Sequence, residues 1–73
     1  MARKTSRDIE KSYPRAQFVA KLRRFADSLE QGEPFVIQIA GERIHVPARA
    51  KFNIEHERSG EEEEIEFQIT WSV

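Results

Sequence analysis

A chain of 73 residues without cysteine has room for one small domain, and apolar packing must hold it together because no disulfide or thiolate zinc site can. No apolar run approaches the roughly 20 residues of a membrane span and residues 1–12 lack the apolar stretch of a signal peptide, so a cytoplasmic location is expected. The net charge of −1 conceals a division: residues 1–24 carry eight Lys and Arg against two acids, net +6, and residues 25–73 carry four against eleven, net −7.

Residues 1–11 are polar and charged, with Ile9 the one large apolar residue after Met1, and are expected to form a mobile basic arm. Residues 12–73 are expected to form a single α+β domain. Ser12, followed by Tyr13 and Pro14, is a plausible helix start, since a Ser oxygen accepts an orphan backbone N–H and Pro is tolerated in the first turn. The helix should run to about Gln31, where Gly32 stops it. Phe18, Leu22, Phe25 and Leu29, with Val19 and Ala26 on one flank, recur at the helical period and define the stripe expected to be buried.

From Phe35 onward the period becomes two. A two-residue turn with Gly41 and Glu42 at its tip, Gly first as a type II′ turn prefers, pairs Ile39 with Ile44 and Ile37 with Val46. A three-residue connection through Pro47, Ala48 and Arg49 pairs Val46 with Ala50 and Ile44 with Phe52. A last turn at Ser59 and Gly60 pairs Ile54 with Ile65, Phe52 with Phe67 and Ala50 with Ile69. All three connections keep the apolar side chains in one phase, which predicts a four-stranded antiparallel meander. The opposite phase, from Gln38 and Arg43 to Glu66, Gln68 and Thr70, is largely polar and should face water. A helix of about 17 residues, about 25 Å long, could lie across the apolar face. The expected fold is therefore α+β, one amphipathic helix packed on one face of a four-stranded meander sheet.

The helix ending Phe25-Ala26-Asp27-Ser28-Leu29-Glu30-Gln31-Gly32, the Gly41-Glu42 turn, the Val46-Pro47 step and the final strand Ile65-Glu66-Phe67-Gln68-Ile69-Thr70-Trp71 together resemble the amphi-Trp domain, a family named for its amphipathic strand ending in Trp. The resemblance covers about residues 12–71. It implies a module of this size and supplies no catalytic or binding residues, because the family is one of unknown function. The basic arm is not expected from the family pattern.

Trp71 lies on the apolar phase of the last strand and is expected to cap the core; the other use of such a ring is as a platform for a flat ligand. On the polar face, the expected register sets Glu55 opposite Glu64 and Glu57 opposite Glu62, with Glu66 nearby. Like charges so placed are destabilising. They are read first as a solvated strand that repels other chains, and otherwise as a site for a hard cation, a basic partner or the arm. His45 and His56 point to opposite faces, so they do not share a metal; His56 should pair with Glu63. No nucleophile stands beside a base and no Gly-rich loop cradles phosphate. No catalytic, metal or cofactor site is expected.

These features point to a small non-catalytic binding or adaptor module with an unknown protein partner, or with a second copy through its unpaired strand edges. The expected contact residues are Arg3, Lys4, Arg7, Lys11 and Arg15 of the arm and Glu55, Glu57, Glu62, Glu64 and Glu66 of the acidic face. The alternative is nucleic-acid binding through the basic arm and helix. The helix weakens it, because Lys21, Arg23 and Arg24 spread around the exposed side and Asp27 can pair with Arg23 or Arg24.

Overall fold

The computed structural model describes residues 6–73, which form one helix and four strands: α1 (Arg15–Glu30), β1 (Phe35–Ile39), β2 (Glu42–Val46), β3 (Lys51–Ser59) and β4 (Glu62–Thr70). The α+β class is as read from the sequence. The sheet differs: β1 pairs antiparallel with β2, β3 pairs antiparallel with β4, and the two hairpins are separate two-stranded sheets.

The helix begins later than expected. Pro14, with φ −58° and ψ 151°, occupies the N-cap position, and no side chain, Ser12 included, caps the first turn. The C-terminus is as expected from Gly32. Its φ of 68° lets the Glu33 N–H donate to Ser28 O at 2.9 Å and the Gly32 N–H to Leu29 O at 3.0 Å. That is the bond pair of a Schellman motif, which satisfies two of the carbonyls a helix end leaves orphaned.

Both hairpins keep the expected phase but shift their register. In the first, Ile39 faces Glu42, Ile37 faces Ile44 and Phe35 faces Val46, so Ala40 and Gly41 form the tip in place of Gly41 and Glu42. Both tip residues have positive φ, 47° and 83°, as a type I′ turn requires; its twist matches that of the strands it joins. In the second, Ile54 faces Phe67 and Phe52 faces Ile69 about a Gly60–Glu61 tip. There only Gly60 has positive φ, the pattern of a type II′ turn with Gly first. Each slip moves the pairing by two places, so every side chain stays on its own face.

The expected pairing of β2 with β3 fails for a related reason. The Ala50 N–H donates to Pro47 O at 3.1 Å, the closing bond of a two-residue turn. Continued as a ladder, that turn would set Val46 opposite Lys51, an inward residue against an outward one. The strands keep their faces and forgo the ladder. Val46 and Ala50 nevertheless lie in one cluster with Phe35, all three 6–7% exposed, against which Phe25, Ile37, Ile44, Ile69 and Trp71 pack. The Phe25 ring bridges the layers, 5.3 Å from that of Phe35 and 6.1 Å from that of Phe52.

This core is small, and the expected burial of the helix stripe is not achieved. No residue of α1 is fully buried, and Phe18, Val19, Leu22 and Leu29 are between 36 and 50% exposed. On the second hairpin Phe52 is 48%, Ile54 69%, Ile65 68% and Phe67 60% exposed. The radius of gyration is 14.0 Å, against about 11 Å for a compact chain of this length. A helix of 16 residues is about 24 Å long. It serves β1 and the near end of β3, and leaves the far half of the β3–β4 hairpin without cover.

Candidate interaction surface

The β3–β4 hairpin has two unlike faces because its side chains alternate. On one face the cross-strand pairs are Lys51–Thr70, Asn53–Gln68, Glu55–Glu66, Glu57–Glu64 and Ser59–Glu62. The expected pairs of Glu55 with Glu64 and Glu57 with Glu62 are thereby replaced, and Glu62 faces Ser59. Gln68 relieves part of the crowding: its Nε2 donates to Glu55 Oε2 at 3.0 Å and to Glu66 Oε2 at 3.1 Å, while its Oε1 accepts from Asn53 Nδ2 at 2.5 Å.

Glu57, Glu64 and Glu66 remain close, each with a carboxylate oxygen within 4.8 Å of the others. Hydrogen bonding with Glu66, and then the charge of Glu66, raises the Glu64 pKa, with smaller contributions from desolvation, Glu57 and Glu10. A hard cation binds carboxylate oxygens of this kind. Two exposed acids and one half-buried acid on one ribbon nevertheless leave most of its coordination shell to water.

The opposite face carries Phe52, Ile54, Ile65, Phe67 and Ile69, and ends toward the tip in polar groups. Arg58 Nε donates to Glu63 Oε1 at 2.5 Å, and His56 Nε2 stands 3.6 Å from the same oxygen. The expected His56–Glu63 contact is thus present, although His56 lies directly opposite Ile65 and Arg58 opposite Glu63. An apolar centre with a charged rim is the anatomy of a protein interface. The helix offers a second apolar strip in Phe18, Val19 and Leu22. With Leu29 and the four exposed hairpin residues these make eight large side chains about half exposed on average. The hairpin residues Phe52, Ile54, Ile65 and Phe67, between 48 and 69% exposed, present about 400 Å², within the about 300–600 Å² of the largest and often functional patch on a typical monomer.

The basic residues expected to form a contact surface are partly engaged within the chain. Arg3 and Lys4 lie outside the described residues. Arg7 forms an ion pair with Glu42, and its Nη2 donates to Ile39 O at 2.6 Å. Lys11 and Lys21 stand over the Tyr13 ring at 5.5 and 5.0 Å. Arg24 lies over Phe35 at 5.3 Å and donates to Val36 O at 3.0 Å. Arg15 is exposed at the start of the helix. Among the described residues, Arg7 and Lys11 make contacts within the chain and Arg15 is exposed.

Trp71 packs half-buried against the core cluster, as expected from its phase. Beside that cluster a shallow dent of about 40 Å³, bordered by Phe25, Leu29, Phe35, Val46, Pro47 and Phe52, is far smaller than the about 300–1,000 Å³ of small-molecule sites. No helix among the described residues is long and apolar enough to cross a membrane.

Ile54, Ile65, Phe67 and Phe18 were expected to be core, and their role as surface was missed. The signal was present in the sequence as an area: four strands offer more inward positions than a single helix about 24 Å long can cover.

The model of the Amphi-Trp domain family matches residues 1–73. No curated protein matches the chain, and no solved structure does.

Proposed function

The chain belongs to the Amphi-Trp domain family, and on that premise we propose that it is a non-catalytic binding module, docking another protein chain on the apolar face of β3–β4. The observation that carries this is the imbalance, among the described residues, between three buried core residues and the exposed Phe52, Ile54, Ile65 and Phe67. A two-stranded hairpin is marginal in water without a packed face, so a partner that covers these residues stabilises the module as well as binding it. The charged rim supplies orientation and steering.

Covering this face also favours the four-stranded meander read from the sequence. Val46 and Ala50 already share one cluster, and a partner spanning both hairpins would hold β2 and β3 side by side. The cytoplasmic setting read from the sequence remains part of the proposal, and fractionation of the host cell tests it.

The test of the binding face uses 8-anilinonaphthalene-1-sulfonate, an apolar-surface dye, with the full chain at about 1 μM. The expected result is dye fluorescence that falls severalfold in Phe67→Lys while the circular dichroism stays unchanged. A folded wild type that sediments as a monomer and leaves the dye dark overturns the proposal. Nucleic-acid binding through the arm and helix is the weaker alternative, since Arg7 and Arg24 are committed to contacts within the chain. Duplex or single-stranded oligonucleotide binding that weakens steeply with salt would put it first.

A further inference from the structure

We propose that the partner on the apolar face is a second copy of this chain, the far half of each β3–β4 hairpin lying along the N-terminal half of the other copy's helix. This rests on the docking face proposed above and names its occupant. Three observations converge on it.

The first is shape. Within one chain two apolar strips are left half-covered, Ile54, Ile65 and Phe67 on the hairpin and Phe18 and Leu22 on the helix. Ile54 and Phe67 face each other and Ile65 lies two positions along, about 7 Å; Phe18 to Leu22 spans about 6 Å of helix, so the strips match in length. A twofold axis joins both pairs at once, because hairpin on helix in one direction implies hairpin on helix in the other.

The second is charge. Helix α1 carries four Lys and Arg against two acids, and the hairpin from Lys51 to Thr70 carries two against seven. Hairpin on hairpin would bring two ribbons of net −5 together, and helix on helix two helices of net +2. Hairpin on helix brings opposite net charges together. Five of the hairpin's acids, Glu55, Glu57, Glu62, Glu64 and Glu66, lie on the ribbon's other face, so the attraction acts across the ribbon as steering, within a Debye length of about 10 Å at 0.1 M salt.

The third is area. Phe18, Leu22, Ile54, Ile65 and Phe67, between 36 and 69% exposed, present about 500 Å² on each copy and about 1,000 Å² in a pair, the size a specific interface has to reach. The closed geometry limits the assembly to two copies, since each strip is used once.

Sedimentation equilibrium of the full chain between about 5 and about 300 μM, together with isotope-filtered NMR on a mixture of labelled and unlabelled chains, tests the proposal. The expected outcome is a dimer mass, intermolecular contacts between the Phe67 ring and the Leu22 methyls, and a dissociation constant raised at least tenfold by Phe67→Lys or by Leu22→Lys. The two substitutions sit on half-exposed positions of different elements, and circular dichroism confirms that each variant is folded before its mass is read. A monomer at about 300 μM overturns the proposal, as do an assembly larger than two and a dimer that neither substitution weakens. If the chain is monomeric and the dye still reports the apolar face, the docking module stands and its partner is a different protein. If the chain is monomeric and the dye is dark, both proposals fail.

Discussion

Ala40 holds φ at 47° at the tip of the first hairpin, a conformation that crowds its Cβ and costs about 1–2 kcal/mol. The twist of the I′ turn imposes it, and Asn adopts this region more readily than Ala. Ala40→Asn is therefore expected to stabilise the chain by about 0.5–1 kcal/mol, read as a higher midpoint in urea. A second residue-scale effect lies at Glu64, whose pKa is raised chiefly by Glu66. With the native value above the unfolded one, the native state binds more protons in the window between them, so stability falls as pH rises through that window. Replacing the carboxyl removes this dependence. Glu64→Gln should raise the urea midpoint at pH 7 and lose that advantage as pH drops below the raised pKa; an equal gain at every pH would rule out titration of Glu64 as the cause.

At the scale of elements, the helix end was legible in the sequence and the helix start was not. Gly32 is the residue that a left-handed C-terminal cap demands, whereas Ser12 and Pro14 both suit an N-terminus and their neighbours do not decide between them. Gly32→Ala keeps the helical residues but forces a Cβ into φ 68°. The expected cost is about 1 kcal/mol, measured by thermal melting as a drop of about 4–8 °C for a domain this small. The hairpins teach a similar lesson. Alternation decided which face each strand residue takes, because a one-residue slip would exchange the faces, while a two-place slip conserves them and is settled by turn geometry alone. The acidic contacts moved with it, so that Glu55 meets Glu66 and Glu57 meets Glu64.

For the molecule as a whole, the basic N-terminal third and the acidic remainder are separated along the chain, and in the proposed pair they meet between copies. Screening weakens such attraction, with a Debye length of about 10 Å at 0.1 M salt and about 3 Å at 1 M. The dimer dissociation constant is accordingly expected to rise severalfold between about 0.05 and about 0.5 M NaCl, measured by sedimentation, while apolar contact keeps the pair from dissociating completely. A constant that does not change with salt would assign the association to apolar burial alone and remove the charge argument for hairpin on helix.

The sequence by itself determined the α+β class, the order of one helix and four strands, the phase of every strand, the place of Trp71 against the core, and the family resemblance that the whole-chain match bears out. These follow from local periodicity and turn chemistry, which act over a few residues. Only the tertiary structure decided that the four strands divide into two hairpins, that the turn registers shift by two, and that Phe18, Ile54, Ile65 and Phe67 remain at the surface. The physical reason is that the covering of a face depends on how much area one short helix can reach, and alternation along a strand carries no information about what lies above it.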